Sequence, residues 1–447
     1  MIEFPLLRLK DAMTTKLKNT IPQSAFLRAS KIFASGAKVM AREMASHLSG
    51  DKALNITRIK QAQDIVTTLG KLKGAAMKAG QLLSIEAASF LDPEVVAVLR
   101  QLQDHASFMP IDQVRLILMR QLGRDKLEAI EDISPEPIAA ASIGQVHKAT
   151  IDGMPVAIKI QYPGVAKTID ADLSALKTLV MSLAKMTGRQ LDIEPVLDEI
   201  NKSLKQEVNY LKEAINTDLV RQTLTAPAYV VPRVYHEFTT ETVLTESFET
   251  GLKVNQWIQN SPSREDIQHF SQLVIQLVID EMLLTGVVQT DPNYANFLYR
   301  PDSKQLVLLD FGATWTYTQE FRKDMHKLTL ALLSGQIDDV MAGIYHRGYL
   351  NNKESAETKH NLREILRLLG EVGADYPQPV ALRDDLPHRE LRTAAHSVGR
   401  GIRHTSPPKD LVLIGRKLTG MLLLLREINA QVDFDQVKDH LRSIKVS

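Results

Sequence analysis

The 447 residues contain no cysteine, which excludes disulfides, thiolate metal sites and cysteine nucleophiles. An excess of either charge is also lacking. With 54 Lys and Arg against 53 Asp and Glu, the formal charge is +1, which argues against a nucleic-acid binder relying on bulk electrostatics. No secretory signal is legible, because MIEFPLLRLKDAMTTKLKN puts charges where an apolar segment should lie. Nor is there a run of roughly 20 uncharged apolar residues, the length a bilayer span needs. The most apolar stretches, SQLVIQLVIDEMLLTGVVQ (271–289) and LVLIGRKLTGMLLLL (411–425), are interrupted by Asp280 and Glu281 and by Arg416 and Lys417. Both read as buried helices. The expected location is therefore cytoplasmic or peripheral on the inner face of a membrane. Internal repeats and low-complexity tracts are absent too.

What is present can fill sizeable cores: 44% of the residues are hydrophobic, and the length suggests about three units. Residues 1–125 read as helices separated by polar breaks, with apolar residues at helical spacing in ITRIKQAQDIVTTLGKLKGAAMKAGQLLSI (56–85). Residues 126–250 form a β-rich region with inserted helices. SPEPIAAASIGQVHKATIDGMPVAIKIQYPG (134–164) reads as strand, small-residue turn, strand, a hairpin at Asp152-Gly153, and a third strand ending near Lys159. Helical pattern runs from Val165 to Leu219, and AYVVPRVYHEF with ETVLTESF (228–248) is again β-rich. Residues 251–447 are mostly helical, apart from a hairpin-like pair of strands in NFLYRPDSKQLVLLDFG (296–312).

The strongest chemical signal is TDPNYANFLYRPDSKQLVLLDFGA (290–313). Asp291 and Asn296 stand five apart, and Asp310-Phe311-Gly312 follows after a hairpin's length of chain. Phosphoryl transfer needs a carboxylate to orient the attacking hydroxyl, and an amide with a second carboxylate to hold magnesium against the phosphates. Magnesium takes oxygen ligands and keeps several waters, so Asn296 and Asp310 suffice as protein ligands. Upstream, VAIK (156–159) is the pattern that places a lysine against ATP phosphates. An ammonium in an apolar strand needs anionic partners, and a helix glutamate would be one. Glu207 and Glu213 are the candidates. Six residues apart, they sit about 240° from each other on a single helix, so only one can serve Lys159.

Three departures from protein kinases stand beside these matches. Where a glycine-rich phosphate loop is expected the chain has AAASIGQV (139–146), in which only Gly144 keeps glycine's freedom. Asp291 is preceded by Gln-Thr rather than His-Arg. After Gly312 helix resumes almost at once, with no A-P-E and no long activation segment on which a peptide could dock. Peptide phosphorylation loses support accordingly.

On these residues the chain resembles the UbiB/AarF-domain atypical kinase-like family, whose members include mitochondrial proteins linked to coenzyme Q. MKAGQLLS is similar to the family's K-x-G-Q signature at Lys78, Gly80 and Gln81. AAASIGQVHKA is similar to its alanine-rich loop, VAIKIQYPGV to its lysine strand, and TDPNYANFLY with LLDFGA to its catalytic and magnesium loops. KQEVNYLKEAIN is similar to its E-x-D-Y-x-x-E-A segment, with Asn209 in place of the aspartate. The resemblance covers residues 60–430. It implies an α+β, bilobal protein-kinase-like fold with an N-terminal helical extension over the active site, and ATP and Mg²⁺ as cofactors. Lys159 would pair with Glu213 and reach the phosphates. Ala139, Ala140, Ala141, Ser142 and Val146 would cover them. Glu246 to Phe248 would form the adenine hinge, Asn296 and Asp310 would hold magnesium, and Asp291 would be the base-like residue. Lys78 and Gln81 would fold over the site and meet Glu207, a contact that Asn209 should weaken. Quinone precursors or prenyl lipids and a membrane surface are the partners implied. The competing expectation is a nucleotide-regulated lipid-binding module with little or no catalysis.

Overall fold

The computed structural model describes Ala75, Ala79, Gly80, Leu82 and Leu83, then residues 108–141, 143–186, 193–291, 293–405 and 407–446. Lys78, Gln81 and Ser142, and most of the expected 56–85 helix, lie outside the described residues. The chain divides into two compact units, one of residues 1–149 and 158–208, the other of residues 150–157 and 209–447.

In the first unit α1 (Ile111–Leu122) and α2 (Arg124–Glu128) lead into β1 (Ile130–Glu131), β2 (Ala139–Ala141), β3 (Gly144–Ile151) and β4 (Met154–Gln161). β1 and β2 both pair with β3. The alanines are a strand rather than the turn expected of them: Ala139 faces Val146, Ala140 faces Gln145 and Ala141 faces Gly144 in antiparallel register. Gly144 is required by the packing beside it, since a Cβ there would overlap the Ile160 carbonyl. The β3–β4 hairpin turns at Asp152 and Gly153, with φ of +49° and +74°, the pair of positive values that a two-residue turn matched to strand twist demands. Along β4, Val156, Ile158 and Ile160 are buried while Ala157 and Lys159 fall on the other face, as strand alternation dictates. α3 (Val165–Met186) and α4 (Glu194–Glu207) bury Ile169, Leu173 and Leu176, and Leu197, Ile200 and Leu204, at helical spacing. Asp170 joins the two, accepting from Asn201 at 2.9 Å and Lys205 at 2.8 Å.

The second unit opens with α5 (Tyr210–Thr223). Its start corrects one expectation: Glu207 and Glu213 are not on one helix. α4 stops at Glu207, and Asn209, extended at φ −109° and ψ 90°, begins a new helix by accepting the Lys212 N–H on its side chain at 3.0 Å. The 240° argument therefore does not apply to this pair. The β-rich reading of 228–248 also narrows. β5 (Tyr229–Val230) is two residues long and is followed at once by Val231-Pro232; proline has no N–H to give a ladder. β6 (Val243–Ser247) carries the rest. Within this unit Phe248 N–H, just after β6, donates to Pro155 O of β4 at 3.0 Å.

Beyond β6 come β7 (Leu252–Lys253), α6 (Val254–Gln259), α7 (Arg264–Asp280), a π-turn (Glu281–Thr285), β8 (Val287–Gln289), β9 (Phe297–Arg300), β10 (Gln305–Leu308) and β11 (Thr314–Thr316). The hairpin read from 296–312 is β9–β10, central to a sheet ordered β5-β10-β9-β7, and β8 pairs with β11. α8 (Gln319–Leu333), α9 (Ile337–His346), α10 (Ala356–Ala374), β12 (Val380–Ala381), α11 (His388–Gly401), α12 (Lys409–Glu427), β13 (Gln431–Val432) and α13 (Phe434–Ser443) complete the unit. Its core gathers Trp257, Phe270 and Tyr299, whose ring centroids lie 4.7 to 5.2 Å apart.

The first apolar stretch is the largely buried α7 with its π-turn, running into β8. The second, α12, is a helix but not a buried one: it buries Ile414, Lys417, Met421, Leu424 and Leu425 on one face and leaves Val412, Leu418, Leu422 and Leu423 exposed on the other. Among the described residues no helix is long and apolar enough to cross a membrane. The charges that interrupt them find partners inside the fold. Lys417 and Glu281, 0% and 1% exposed, form an ion pair, and Asp280 accepts from His440 at 2.7 Å.

Candidate functional site

The second unit joins Asp291, Asn296 and the Asp310 segment by hydrogen bonds and brings Glu213 beside them. After β8, Thr290 N–H donates to Ala313 O at 2.8 Å, which fixes where the chain leaves the strand. Asp291 then accepts the Asn293 N–H on Oδ1 at 3.1 Å and the Asn296 side-chain N–H on Oδ2 at 3.2 Å. Because Nδ2 of Asn296 is turned to Asp291, its carboxamide oxygen is the atom left to face a cation. A single helical turn, Tyr294–Asn296, spans the five-residue spacing.

The hairpin β9–β10 returns the chain to this point. Leu309 N–H donates to Asn296 O at 2.8 Å, placing the two magnesium candidates side by side in backbone terms. Asp310 has φ +61°, a left-handed conformation that costs a non-glycine residue energy unless its surroundings impose it. They do: Gly312 N–H donates to Asp310 Oδ1 at 3.1 Å, and the Gln289 side-chain amide donates to Leu309 O at 3.2 Å and to Asp310 O.

α5 closes the group. Asn216 Nδ2 donates to Phe311 O at 3.0 Å, docking the helix on the Asp-Phe-Gly segment. Glu213 is 2% exposed. A Cβ placed at Gly312 would stand 3.3 Å from Asp310 Oδ1 and 3.4 Å from Glu213 Oε2, so both carboxylates converge on that glycine. Thr217, one turn on, donates to Glu246 Oε1 at 3.2 Å. Of the expected hinge residues, Glu246 is thus tied to α5, and Phe248 spends its N–H on Pro155.

Lys159, Ala139, Ala140, Ala141, Val146 and Glu207 belong to the first unit. There the segment following the alanines is fixed by a buried polar ladder that the sequence alone does not reveal. Gln145 accepts the Met109 N–H at 2.7 Å and donates to Met109 O at 3.2 Å. Its amide also meets His147 Nε2 at 2.7 Å, while His147 Nδ1 lies 2.8 Å from Ser134 O. That arrangement requires Nδ1 to carry the proton and Nε2 to accept, a neutral imidazole, and burial holds the His147 pKa below its usual value. A Gln and a His two apart on one strand, in GQVH, are the signal that could point to it.

No cation is part of the structure, but the donor set fits magnesium: a carboxamide and a carboxylate are hard oxygen ligands, and the strand-and-hairpin frame brings them together. A backbone carbonyl link and an over-determined Asp310 make the pair rigid, which suits a small ion with strict geometry.

The site geometry and the fold now define a class. The sequence pattern of the ABC1 atypical kinase-like domain matches residues 101–343, more than half of the chain, and the chain belongs to that family. Its fold is the family's mixed α+β, kinase-like one. Among individual relatives, the chain is 30% identical over 389 residues to atypical kinase COQ8, mitochondrial, of Schizosaccharomyces pombe, covering 86% of this chain and 63% of that protein. It is 32% identical to atypical kinase coq-8, mitochondrial, of Caenorhabditis elegans, covering 83% of this chain and 49% of the relative. The chain thus spans less than two thirds of the first relative's length and about half of the second's. A solved structure of the Mycobacterium tuberculosis protein Rv3197 in complex with erythromycin is similar with a TM-score of 0.59 at 25% identity, over 88% of this chain and 98% of that one.

Proposed function

We propose that this chain is a kinase-fold ATPase, or a small-molecule or lipid kinase, that supports the biosynthesis of ubiquinone or a related isoprenoid lipid. The observation that carries this reading is the tie between Asp291, Asn296 and the left-handed Asp310, with the Glu213 helix docked on the same segment. In this reading Asn296 and Asp310 hold magnesium, which when bound shields the phosphate charge. Asp291 orients the attacking oxygen and accepts its proton; the bond to Asn296 holds the carboxylate in place for that task. Lys159 neutralises the phosphates and Glu213 supports it. Ala139 to Val146 cover the nucleotide, and Glu246 to Phe248 border the adenine. Lys78, Gln81 and Glu207 regulate access. Residues 1–125 act as the extension, 126–250 as the smaller lobe and 251–447 as the larger. Partners are quinone precursors or prenyl lipids at a membrane surface, contacted peripherally.

A second reading, a nucleotide-regulated lipid-binding module with little catalysis, draws on the alanine strand. Its backbone pairs with β3 instead of forming an open glycine cradle for phosphates. Protein phosphorylation has the least support, since α8 begins at Gln319, seven residues after Gly312.

ATP hydrolysis by wild type, Asp310→Asn and Lys159→Ala, with and without anionic liposomes, separates these readings. Both variants should lose about 10²- to 10³-fold in turnover, because both act on charge that develops in the transition state. Equal turnover in all three proteins sinks the enzyme reading. ATP binding without turnover, even with membranes and phenolic quinone precursors present, selects the second.

A further inference from the structure

Gln289 lies two residues before Asp291, on β8, and is 1% exposed. From outside the Asp-Phe-Gly segment, its side chain reaches two consecutive carbonyls, Leu309 O and Asp310 O. Beside these, Gly312 N–H donates locally to Asp310 Oδ1, and the neighbouring Leu309 N–H ties the segment to Asn296 O. Holding the two carbonyls that flank Asp310 from β8 restrains both its backbone angles and hence the direction of its Cα–Cβ bond, and the Gly312 N–H then orients the carboxylate.

Gln289 itself is held from two sides. β8 pairs with β11, with Val288 opposite Trp315 and Gln289 opposite Thr314, and Thr290 N–H follows to Ala313 O. The strand is entered through the π-turn, where the Thr285 hydroxyl donates to Glu281 O at 2.7 Å and accepts the Val287 N–H at 3.0 Å. Glu281 is the first residue of that turn. Its carboxylate, in the apolar core, is balanced by Lys417 from α12, 136 residues away in sequence. A buried charge pair is weak evidence for stability, because hydrophobic residues of similar volume often replace it without loss. A role in placement accounts for it better.

We propose that Gln289 is a positioning residue that aims the Asp310 carboxylate at magnesium, with the buried Glu281–Lys417 pair anchoring the turn and strand that carry it. This rests on the reading of Asn296 and Asp310 as the magnesium pair. The geometry runs from the ion pair, through the π-turn and β8, to two carbonyls beside the metal aspartate. The Gln-Thr that stands where kinases have His-Arg is thus the donor for this arrangement.

The test titrates MgCl₂ into the full chain with a fluorescent ATP analogue, and repeats the binding in EDTA. Gln289→Met keeps the side-chain length and removes the donor. It should raise the half-saturating Mg²⁺ concentration about tenfold, the usual effect of removing a group that orients a metal ligand, with affinity in EDTA unchanged. Gln289→His restores a ring N–H and should return the Mg²⁺ dependence toward wild type. The folded double variant Glu281→Gln/Lys417→Met should shift it in the same direction as Gln289→Met, and a wild-type Mg²⁺ curve there overturns the anchoring role. A wild-type curve for Gln289→Met, or equal weakening with and without Mg²⁺, overturns the positioning role. If Gln289→Met fails to fold, Gln289→His decides: a curve shifted about tenfold despite a native melting temperature contradicts the donor argument. Should the wild type itself show no Mg²⁺ dependence, the magnesium assignment fails, and this inference with it.

Discussion

In the first unit the motif residues are held largely by main chain, with the Gln145–His147 side-chain ladder behind them. Ala139–Ala141 pair residue by residue with β3, Gly144 lies against the Ile160 carbonyl, and Lys159 takes its face from strand alternation. In the second unit the motif residues are held by side chains: Asn296 to Asp291, Gln289 to Asp310 O, Asn216 to Phe311 O, Thr217 to Glu246. The first arrangement tolerates changes of side chain and resists changes of backbone volume. The second is sensitive to single polar atoms. On the proposed reading, the first would be a surface that covers phosphates and needs only a shape, and the second a metal pair that needs oriented oxygens.

The comparison can be broken most forcefully at the buried pair. Lys417→Met alone should cost about 3–5 kcal/mol, because it leaves Glu281 in the core without its counter-charge, while Glu281→Gln/Lys417→Met should be close to wild type. Chemical denaturation measures both, and equal stabilities for the single and double variants would show that the pair is not coupled. In the first unit Gly144→Ala should cost about 1–3 kcal/mol by overpacking against Ile160, whereas Ala139→Gly, which removes one half-buried methyl, should cost about 1 kcal/mol or less. A tolerated Gly144→Ala would remove the main-chain account of this unit. A smaller effect is expected at the α5 cap. Asn209→Ala should lose about 1 kcal/mol, and Asn209→Asp should stay within about 0.5 kcal/mol, since both Asn and Asp accept the Lys212 N–H. Thermal denaturation of the three proteins checks it.

Acid should affect the units in different ranges. Burial lowers the His147 pKa below 6.5, against a smaller opposing effect of its bond to Ser134. The unfolded chain therefore binds the proton more readily, and the stability this histidine contributes is present above pH about 6.5 and is lost as pH falls through the histidine range. In the second unit Glu354 is pushed up by burial but pulled further down by the Thr405 hydroxyl and the Arg403 and His404 N–H groups, to about 2. Its contribution is present above the carboxylate's ordinary 4.5 and is lost only between there and about 2. Glu354→Gln should remove the lower transition and His147→Asn the upper one, as followed by stability against pH. A single shared transition would contradict the division.

Much of this is legible in the sequence because it is local. Asp152-Gly153 announces its turn, VAIK announces its strand, and the hairpin between Asn296 and Asp310 follows from alternation and length. The two apolar stretches read as buried helices, which holds for α7 but for only one face of α12. The meeting of the charges inside them does not show: Glu281 and Lys417 are 136 residues apart, and nothing in either segment names the other. The break between α4 and α5 is hidden because the apolar and charged spacing runs through Val208-Asn209 almost unbroken. Only the capping habit of asparagine marks it. Small size alone makes the alanines read as a turn, although three alanines following Ile138 pair as well as they bend. Gln289 stands out in the sequence as a departure from His-Arg but without its task, which depends on β8 and β11 bringing it beside Asp310 O.

The central claim is that Asn296 and Asp310 form a magnesium pair beneath a nucleotide. Calorimetric titration of ATP into wild type and Asp310→Asn, each with Mg²⁺ and with EDTA, tests it directly. The account predicts that Mg²⁺ tightens ATP binding to the wild type about tenfold or more, and that Asp310→Asn abolishes this gain while leaving binding in EDTA as it was. A wild type indifferent to Mg²⁺, or an Asp310→Asn protein that retains the full gain, would contradict it.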